Sequence, residues 1–450
     1  MRRDSVANSF DADIQKQDLL MKSPLFSICI PTKNRGAYIE NCVRAALAQD
    51  FDDFEVVISD NNSTDQTEEI VVGIQSDKVK YTRSSVDLGV SENFDRAVLE
   101  SNGRYFILIA DDELLTPVAL STVEDAFCKI QTDIVRFSCG ASYTYPGIEE
   151  VGNTLKIDPF TGGTWRISSS DALRSVFSLD IFVGNKDVGH KDFLRYAARG
   201  VPLGARTATK RTLFDKIYRR VGFFHAPEPM YSSAIYLLNE VEDVIVCDRH
   251  LCVGSVLPSM KSRGGAFLKN PDDGWDRESR NDLYKDFDGP TSIRSTMCSY
   301  QTSGILAAQK YLSPDLDVYS LNMEAYCWRM LRELYILRVE GVDIGQDLCL
   351  LKDFMKKENV RDDFVYRFDP RRKFKPQFLA YSFGKFIKNW SRERNVDIQV
   401  WNQSFDGKNH HFSNVIECLE QYEEIASTLT NRRYADQLLQ HFYPQAQQIQ

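Results

Sequence analysis

From Phe26 onward the chain alternates short apolar runs with amphipathic stretches, the pattern of strands and helices that follow one another in β-α-β units. It predicts strands over 26–30, 54–59, 79–82, 105–110 and 133–137. A helix is expected over 37–49, where Ile39, Val43, Ala46 and Leu47 share one face. A second should start at Ser63, which with Gln66 three residues on has capping-box spacing. A third spans 92–100, and a fourth starts at Pro117 behind Thr116 as its cap.

Past Cys139 the rhythm breaks into a stretch rich in Gly, Ser, Thr and Tyr, the place for an inserted lid or acceptor region. Helix returns over 171–179 and 231–238, with a strand over 244–247. Residues 259–288 are rich in Gly, Asp, Lys and Arg and read as loop. Beyond Ser292 the pattern is helical, most clearly over 321–339, where Ala325, Trp328, Leu331, Leu334 and Tyr335 recur at helical spacing. That stripe suits packing or a homodimer contact, or a helix resting on a membrane surface. The expected organisation is a tail (1–24), an α/β domain (25–265, in halves 25–140 and 141–265), a linker (266–291) and a mainly α-helical region (292–450).

Composition narrows the function classes. A chain of 450 residues that is 43% hydrophobic and 26% charged can bury a large core. Its formal net charge of -9 argues against a general nucleic-acid binder, because phosphate backbones reward basic surfaces. The ten cysteines form no C-x-x-C pair and read as free, mostly buried thiols of a reducing compartment. Residues 1–22 are polar, and no run of about 18 apolar residues occurs, so the expectation is a cytoplasmic protein, attached to a membrane only peripherally if at all.

Candidate chemistry lies just after the strands. In open α/β sheets ligands bind outside the carboxyl ends of the strands. Pro31-Thr32-Lys33-Asn34-Arg35 follows the first strand, Asp60-Asn61-Asn62-Ser63-Thr64-Asp65 the second and Asp111-Asp112-Glu113 the fourth. Residues 60–65 also suit a turn that caps a helix. Three adjacent carboxylates repel one another, a cost that a bound divalent cation would relieve; an exposed strand end is the other reading.

These three segments, in this order, resemble the motifs of family 2 glycosyltransferases, and Asp87-Leu88-Gly89-Val90-Ser91-Glu92-Asn93 is similar to the N-x-G-x-x-x-N stretch between them. The resemblance covers about residues 25–140 and, more loosely, runs to about 265. It implies a GT-A type fold, a Rossmann-like mostly parallel sheet with flanking helices, and inverting transfer of a sugar from a nucleotide-diphospho-sugar to a hydroxyl of a glycan or lipid-linked acceptor in bacterial surface polysaccharide synthesis. Pro31, Thr32, Asn34 and Arg35 would line the nucleotide site, with Asp60 on the base or ribose, Asn62 and Asp65 supporting that loop, and Asn93 beside it. Asp111 would face the substrate, while Asp112 and Glu113 would hold Mn2+ or Mg2+. Ala110 stands where many members carry the first carboxylate of the acidic motif.

The same resemblance puts the general base at Glu228, within Pro227-Glu228-Pro229-Met230-Tyr231-Ser232-Ser233, with Asp243 a weaker candidate. Ser255, Ser262 and Arg263 would contact pyrophosphate, as would suit the basic, glycine-containing segment 261–265, which also reads as a loop kept in solvent by its charges. His250 reads as structural. Two other classes remain open on these residues: a sugar nucleotidyltransferase, although 31–36 lacks a glycine-rich run, and a non-catalytic sugar- or protein-binding module.

Overall fold

The structure, a computed structural model, describes residues 23–138, 140–146, 152–158, 160–179, 199–224, 229–257, 297–339, 342–360, 403–427, 436, 439–440 and 443–449. The first four strands are β1 (Phe26–Thr32), β2 (Phe54–Asp60), β3 (Val79–Arg83) and β4 (Tyr105–Leu108). They lie side by side in the order β4-β1-β2-β3, all parallel. Every residue of β1 is buried, as expected for a strand covered on both faces. On β4 the period of two sorts side chains cleanly: Phe106 and Leu108 enter one core cluster, Ile107 and Ile109 the other.

Helices α1 (Gly36–Leu47), α2 (Thr67–Gly73), α3 (Val90–Leu99) and α4 (Ala119–Lys129) connect or follow these strands. Two predicted starts are corrected. The second helix begins at Thr67, because Ser63 spends its hydroxyl on Asn34 N–H (2.8 Å) and its own N–H on Asp60. The fourth begins at Ala119, because the N–H of buried Thr116 is drawn to Leu251 O (3.0 Å), which keeps 116–118 out of the helix.

The remaining strands are β5 (Leu114–Leu115), β6 (Ile134–Ser138), β7 (Ala141–Thr144), β8 (Thr154–Ile157), β9 (Thr164–Ser168), β10 (Thr207–Lys210), β11 (Asp243–His250), β12 (Cys252–Val256), β13 (Gln403–Asp406) and β14 (Gln447–Ile449). Nine strands form the main sheet in the order β14-β9-β11-β6-β10-β4-β1-β2-β3. Strand β10 slips in antiparallel between β4 and β6, so the fifth predicted strand is not a neighbour of the fourth. A second sheet, β13-β8-β7-β12-β5, starts directly after the acidic turn 111–113.

Helices α5 (Ser169–Phe177), α6 (Arg211–Val221), α7 (Pro229–Glu240), α8 (Met297–Leu312), α9 (Met323–Val339) and α10 (Gly345–Lys357) supply the larger core cluster on one side of the main sheet. In α9 the buried positions include Tyr326, Cys327, Met330, Leu331 and Leu334, whereas the side chains of Trp328 and Tyr335 lie outside the described residues. The chain beyond 292 also returns to both sheets: β13 pairs antiparallel with β8 and β14 with β9. Gly200 is required there, since a Cβ on it would stand 2.6 Å from the Tyr443 ring. The linker expected over 266–291 and all but the last two residues of the tail expected over 1–24 lie outside the described residues. Among the described residues no helix is long and apolar enough to cross a membrane, and Cys128 and Cys349 are exposed while the other described cysteines are buried.

Candidate active site

Strand order reverses between β1 and β4, with β2 and β3 on one side and β10 on the other. Such a switch point opens a crevice at the carboxyl ends of the strands, where the two departing loops diverge. Two contacts fix the crevice wall. Thr32, the last residue of β1, donates its hydroxyl to Asp111 Oδ2 at 2.8 Å, and Arg35 Nε lies 3.3 Å from Asp111 Oδ1.

The acidic turn is shaped by its own backbone. Glu113 N–H donates to Ala110 O at 3.0 Å, and Glu113 Oε2 accepts from Ala110 N–H at 3.1 Å. The other oxygen, Oε1, lies 3.3 Å from Arg206 Nη1. Arg206 sits in the segment before β10 with φ 59°, a conformation rare for arginine, and its N–H is anchored on Leu108 O at 2.8 Å. Thus Asp111 faces Arg35 and Glu113 faces Arg206, with Asp112 between them; both aspartates are only 8% exposed. Burial pushes the Cys42 thiol well up, and the charges of Asp111, Asp112 and Glu113 push it further, so the three carboxylates act on one small volume.

The loops after β1 and β2 are laced together. Asn34 and Asn62 each take φ 54°, the left-handed region that asparagine tolerates. Asn34 N–H donates to Ser63 Oγ at 2.8 Å, and Thr64 N–H returns to Asn34 Oδ1 at 2.8 Å. Asp65 caps two helices at once: Oδ2 accepts from Gly36 N–H at 2.9 Å and Oδ1 from Thr67 N–H at 3.0 Å. Desolvation raises its pKa, but the Thr67 hydroxyl and these N–H donors outweigh that and hold it below the usual carboxylate value. A Cβ on Gly36 would press on Asp65 Oδ2 at 3.3 Å, so the tight approach favours glycine.

Two expected ligand residues lie behind this surface. Asp60 is fully buried, with Oδ1 accepting from Ser63 N–H (2.9 Å) and Oδ2 from the Tyr81 hydroxyl (2.6 Å). Asn93 is buried and brackets Ser59, accepting from its hydroxyl at 2.8 Å and donating to its carbonyl at 3.1 Å. Both set the shape of the β2 end. At the rim, Lys33 and Asn62 both meet Asp87, at 3.1 and 3.2 Å, and Pro31 is a buried residue of β1 opposite Ser59. His250 accepts from Gly140 N–H at 3.0 Å through Nδ1 and places Nε2 2.9 Å from Asp158 O, away from the acidic turn. Glu228, Ser262 and Arg263 lie outside the described residues. Asp243, the weaker base candidate, pairs with Arg166 at 3.0 Å at the far end of β11.

The donor chemistry can be tested against a divalent ion. Among the described residues no group of three His, Cys, Asp or Glu is placed to hold a metal by itself. Magnesium-type ions need only one or two protein carboxylates when substrate phosphates fill other positions. Asp112 beside Glu113, with Asp111 and Glu113 steadied by arginines, fits an ion shared with a diphosphate.

Sequence reading missed Arg206, Tyr81, Asn41 and Tyr145. Asn41 Nδ2 donates to the Tyr145 hydroxyl at 3.3 Å, one residue from Cys42, whose Sγ lies 3.5 Å from Ala110 O. Arg206 carried no local signal, since only the insertion of β10 beside β4 brings it to Glu113.

Residues 27–156 match Glycosyl transferase family 2. A GalNAc(5)-diNAcBac-PP-undecaprenol beta-1,3-glucosyltransferase of Campylobacter jejuni is 32% identical over 103 residues, 22% of this chain and 33% of that protein. The abequosyltransferase RfbV of Salmonella typhimurium is 34% identical over 134 residues, covering 29% and 39% of the two chains. The chain thus spans about a third of the length of these curated relatives. Among solved structures, S. aureus TarS 1-349 in complex with UDP-GlcNAc aligns over 74% of this chain and 92% of that one, at 13% identity and a TM-score of 0.41. The segments at the β1, β2 and β4 ends that line the crevice all fall within residues 27–156, the part of the chain that is similar to glycosyl transferase family 2.

Proposed function

We propose that this protein transfers a sugar from a nucleotide-diphospho-sugar to a hydroxyl acceptor with inversion at the anomeric carbon, in the synthesis of a surface polysaccharide or related glycan. The observation that carries the reading is the acidic turn 111–113 set between Arg35 and Arg206 at the β1/β4 switch point. The matched relatives are named for glucosyl and abequosyl transfer, which agrees with it.

Loss of a nucleoside diphosphate concentrates negative charge on a phosphate oxygen while the sugar becomes oxocarbenium-like. Asp112 and Glu113 would hold Mn2+ or Mg2+, whose charge offsets that of the diphosphate. Arg35, held by Asp111, would meet the same phosphates. The interlocked 32–36 and 60–67 loops give the nucleoside a rigid wall, so little ordering entropy is lost on binding. Because Asp60 is sealed by Tyr81 and Ser63, its part is to fix that wall unless the nucleotide displaces the tyrosine. Glu228 is the proposed base that takes the acceptor proton.

The test is donor hydrolysis across UDP-, GDP- and TDP-sugars with and without manganese. One donor should be cleaved in a metal-dependent way, and Asp112→Ala should abolish cleavage without unfolding the chain. Full activity in that variant, or release of pyrophosphate from a nucleoside triphosphate, would reject the reading.

A further inference from the structure

Arg206 stands in a backbone conformation that arginine seldom adopts, and that backbone is tied on both sides. Its φ of 59° falls one residue before β10 enters between β4 and β6. The N–H donates to Leu108 O at 2.8 Å, and the carbonyl accepts from Phe137 N–H at 3.2 Å. Arg136, buried on β6, adds to this: its Nη1 donates to the same carbonyl at 2.9 Å and its Nε to Val201 O at 3.0 Å. The backbone of residue 206 is therefore pinned between the end of β4 and β6.

A left-handed residue costs free energy and persists only where its surroundings over-determine it; glycine would fill this position at the least cost. The chain carries an arginine there, whose guanidinium Nη1 lies 3.3 Å from Glu113 Oε1, with the two side chains only 22% and 12% exposed. The other oxygen, Oε2, accepts from Ala110 N–H at 3.1 Å, and the N–H of the preceding Ile109 is bound to Cys29 O of β1 at 3.0 Å. Glu113 is thus held at both carboxylate oxygens, one by the end of β4 and one by the approach to β10. Each oxygen keeps a lone pair for a further partner.

We propose that Arg206 is a positioning residue of the metal and diphosphate site, fixing the orientation in which Glu113 meets a divalent ion, with Arg136 as the anchor of the turn that carries it. The assignment rests on the donor-site reading above and deepens it. Carboxylates that ligate a metal are themselves supported by hydrogen bonds, and loss of such a support weakens metal binding by about ten- to a hundredfold.

The probe is the complex of Mn2+ with inorganic pyrophosphate, titrated calorimetrically into the full chain. Arg206→Gly should bind it about tenfold or more weakly. Its melting temperature should stay close to that of the parent, because glycine takes φ 59° without strain and both backbone bonds of residue 206 remain. Arg206→Asn, a second residue that tolerates this region, should lose as much. In a Glu113→Gln background Arg206→Gly should cost little more, since the arginine then has no carboxylate to orient. Additive losses would mean that Arg206 meets the ligand itself and would overturn the positioning role. Unchanged or tighter binding by Arg206→Gly and Arg206→Asn overturns it too and leaves the donor site standing. Absence of binding by the parent chain overturns both.

Discussion

Thr32 and Asp111, 79 residues apart in the chain, meet through a 2.8 Å hydrogen bond that spans the two strands between which the sheet reverses order. With Arg35 on its other oxygen, the Asp111 carboxylate is held at both ends. A group fixed in advance costs no reorganisation when charge develops, which is why such supports matter for rate more than for folding. Thr32→Val keeps the shape and removes the donor. Donor hydrolysis should fall about tenfold in kcat/KM, equivalent to about 1.4 kcal/mol, with a nearly unchanged melting temperature. Thr32→Ser should restore most of the loss, and failure to do so would remove this bond from the mechanism.

Glu228→Gln separates binding from transfer. The variant keeps size and hydrogen-bonding capacity but cannot take a proton at neutral pH. Its affinity for the donor should equal that of the parent, while transfer to acceptor falls by about 100-fold or more. Transfer at the parental rate would move the base to another carboxylate.

The parallel half of the fold was legible because its buried strands are mainly apolar runs, FSICI with the one serine Ser27 or YFILI, followed within a residue or two by a polar cluster. Strand β10, Thr-Ala-Thr-Lys, has no such run; it is buried by its neighbours β4 and β6 rather than by its own composition. Strands β13 and β14 were equally silent, since a sheet edge recruits them through backbone bonds that leave no side-chain pattern. At the site, loops that follow strands announced Thr32, Arg35 and Asp111. Arg206 reaches the same place through the long-range pairing of β10 with β4, which no local spacing encodes.

Arg199 and Asp248 form an ion pair that is 4% and 0% exposed, and Asp248 also accepts from Thr161 N–H at 2.7 Å. Removing one member of a buried pair strands the other charge in a poorly solvated place. Arg199→Met should lower the unfolding free energy by about 3–5 kcal/mol in urea titration. The double variant Arg199→Met/Asp248→Asn should recover part of this, because the amide that replaces the carboxylate carries no charge and still accepts from Thr161. A double variant no better than the single would mean that packing of the arginine stem, not charge, is what counts.

Asp95 gives the fold a pH dependence with a definite sign. It lies within α3, and its Oδ1 accepts from Phe224 N–H at 3.2 Å, which ties α3 to the segment after α6. Burial raises its pKa from 3.8 to about 7; the Phe224 N–H opposes that shift and the Glu92 charge adds to it. Between these two values the unfolded chain has released the proton and the folded chain has kept it. The contribution of Asp95 to stability is therefore fully present below about pH 4, declines as pH rises, and is gone above about pH 7. A shift of this size corresponds to a few kcal/mol, at about 1.4 kcal/mol per pKa unit. Asp95→Asn keeps the acceptor for Phe224 and removes the charge, so at pH 8 it should melt higher than the parent, whereas near pH 4 the two should coincide. Equal melting temperatures at both pH values would show that the Asp95 carboxyl titrates near its ordinary value in the folded chain.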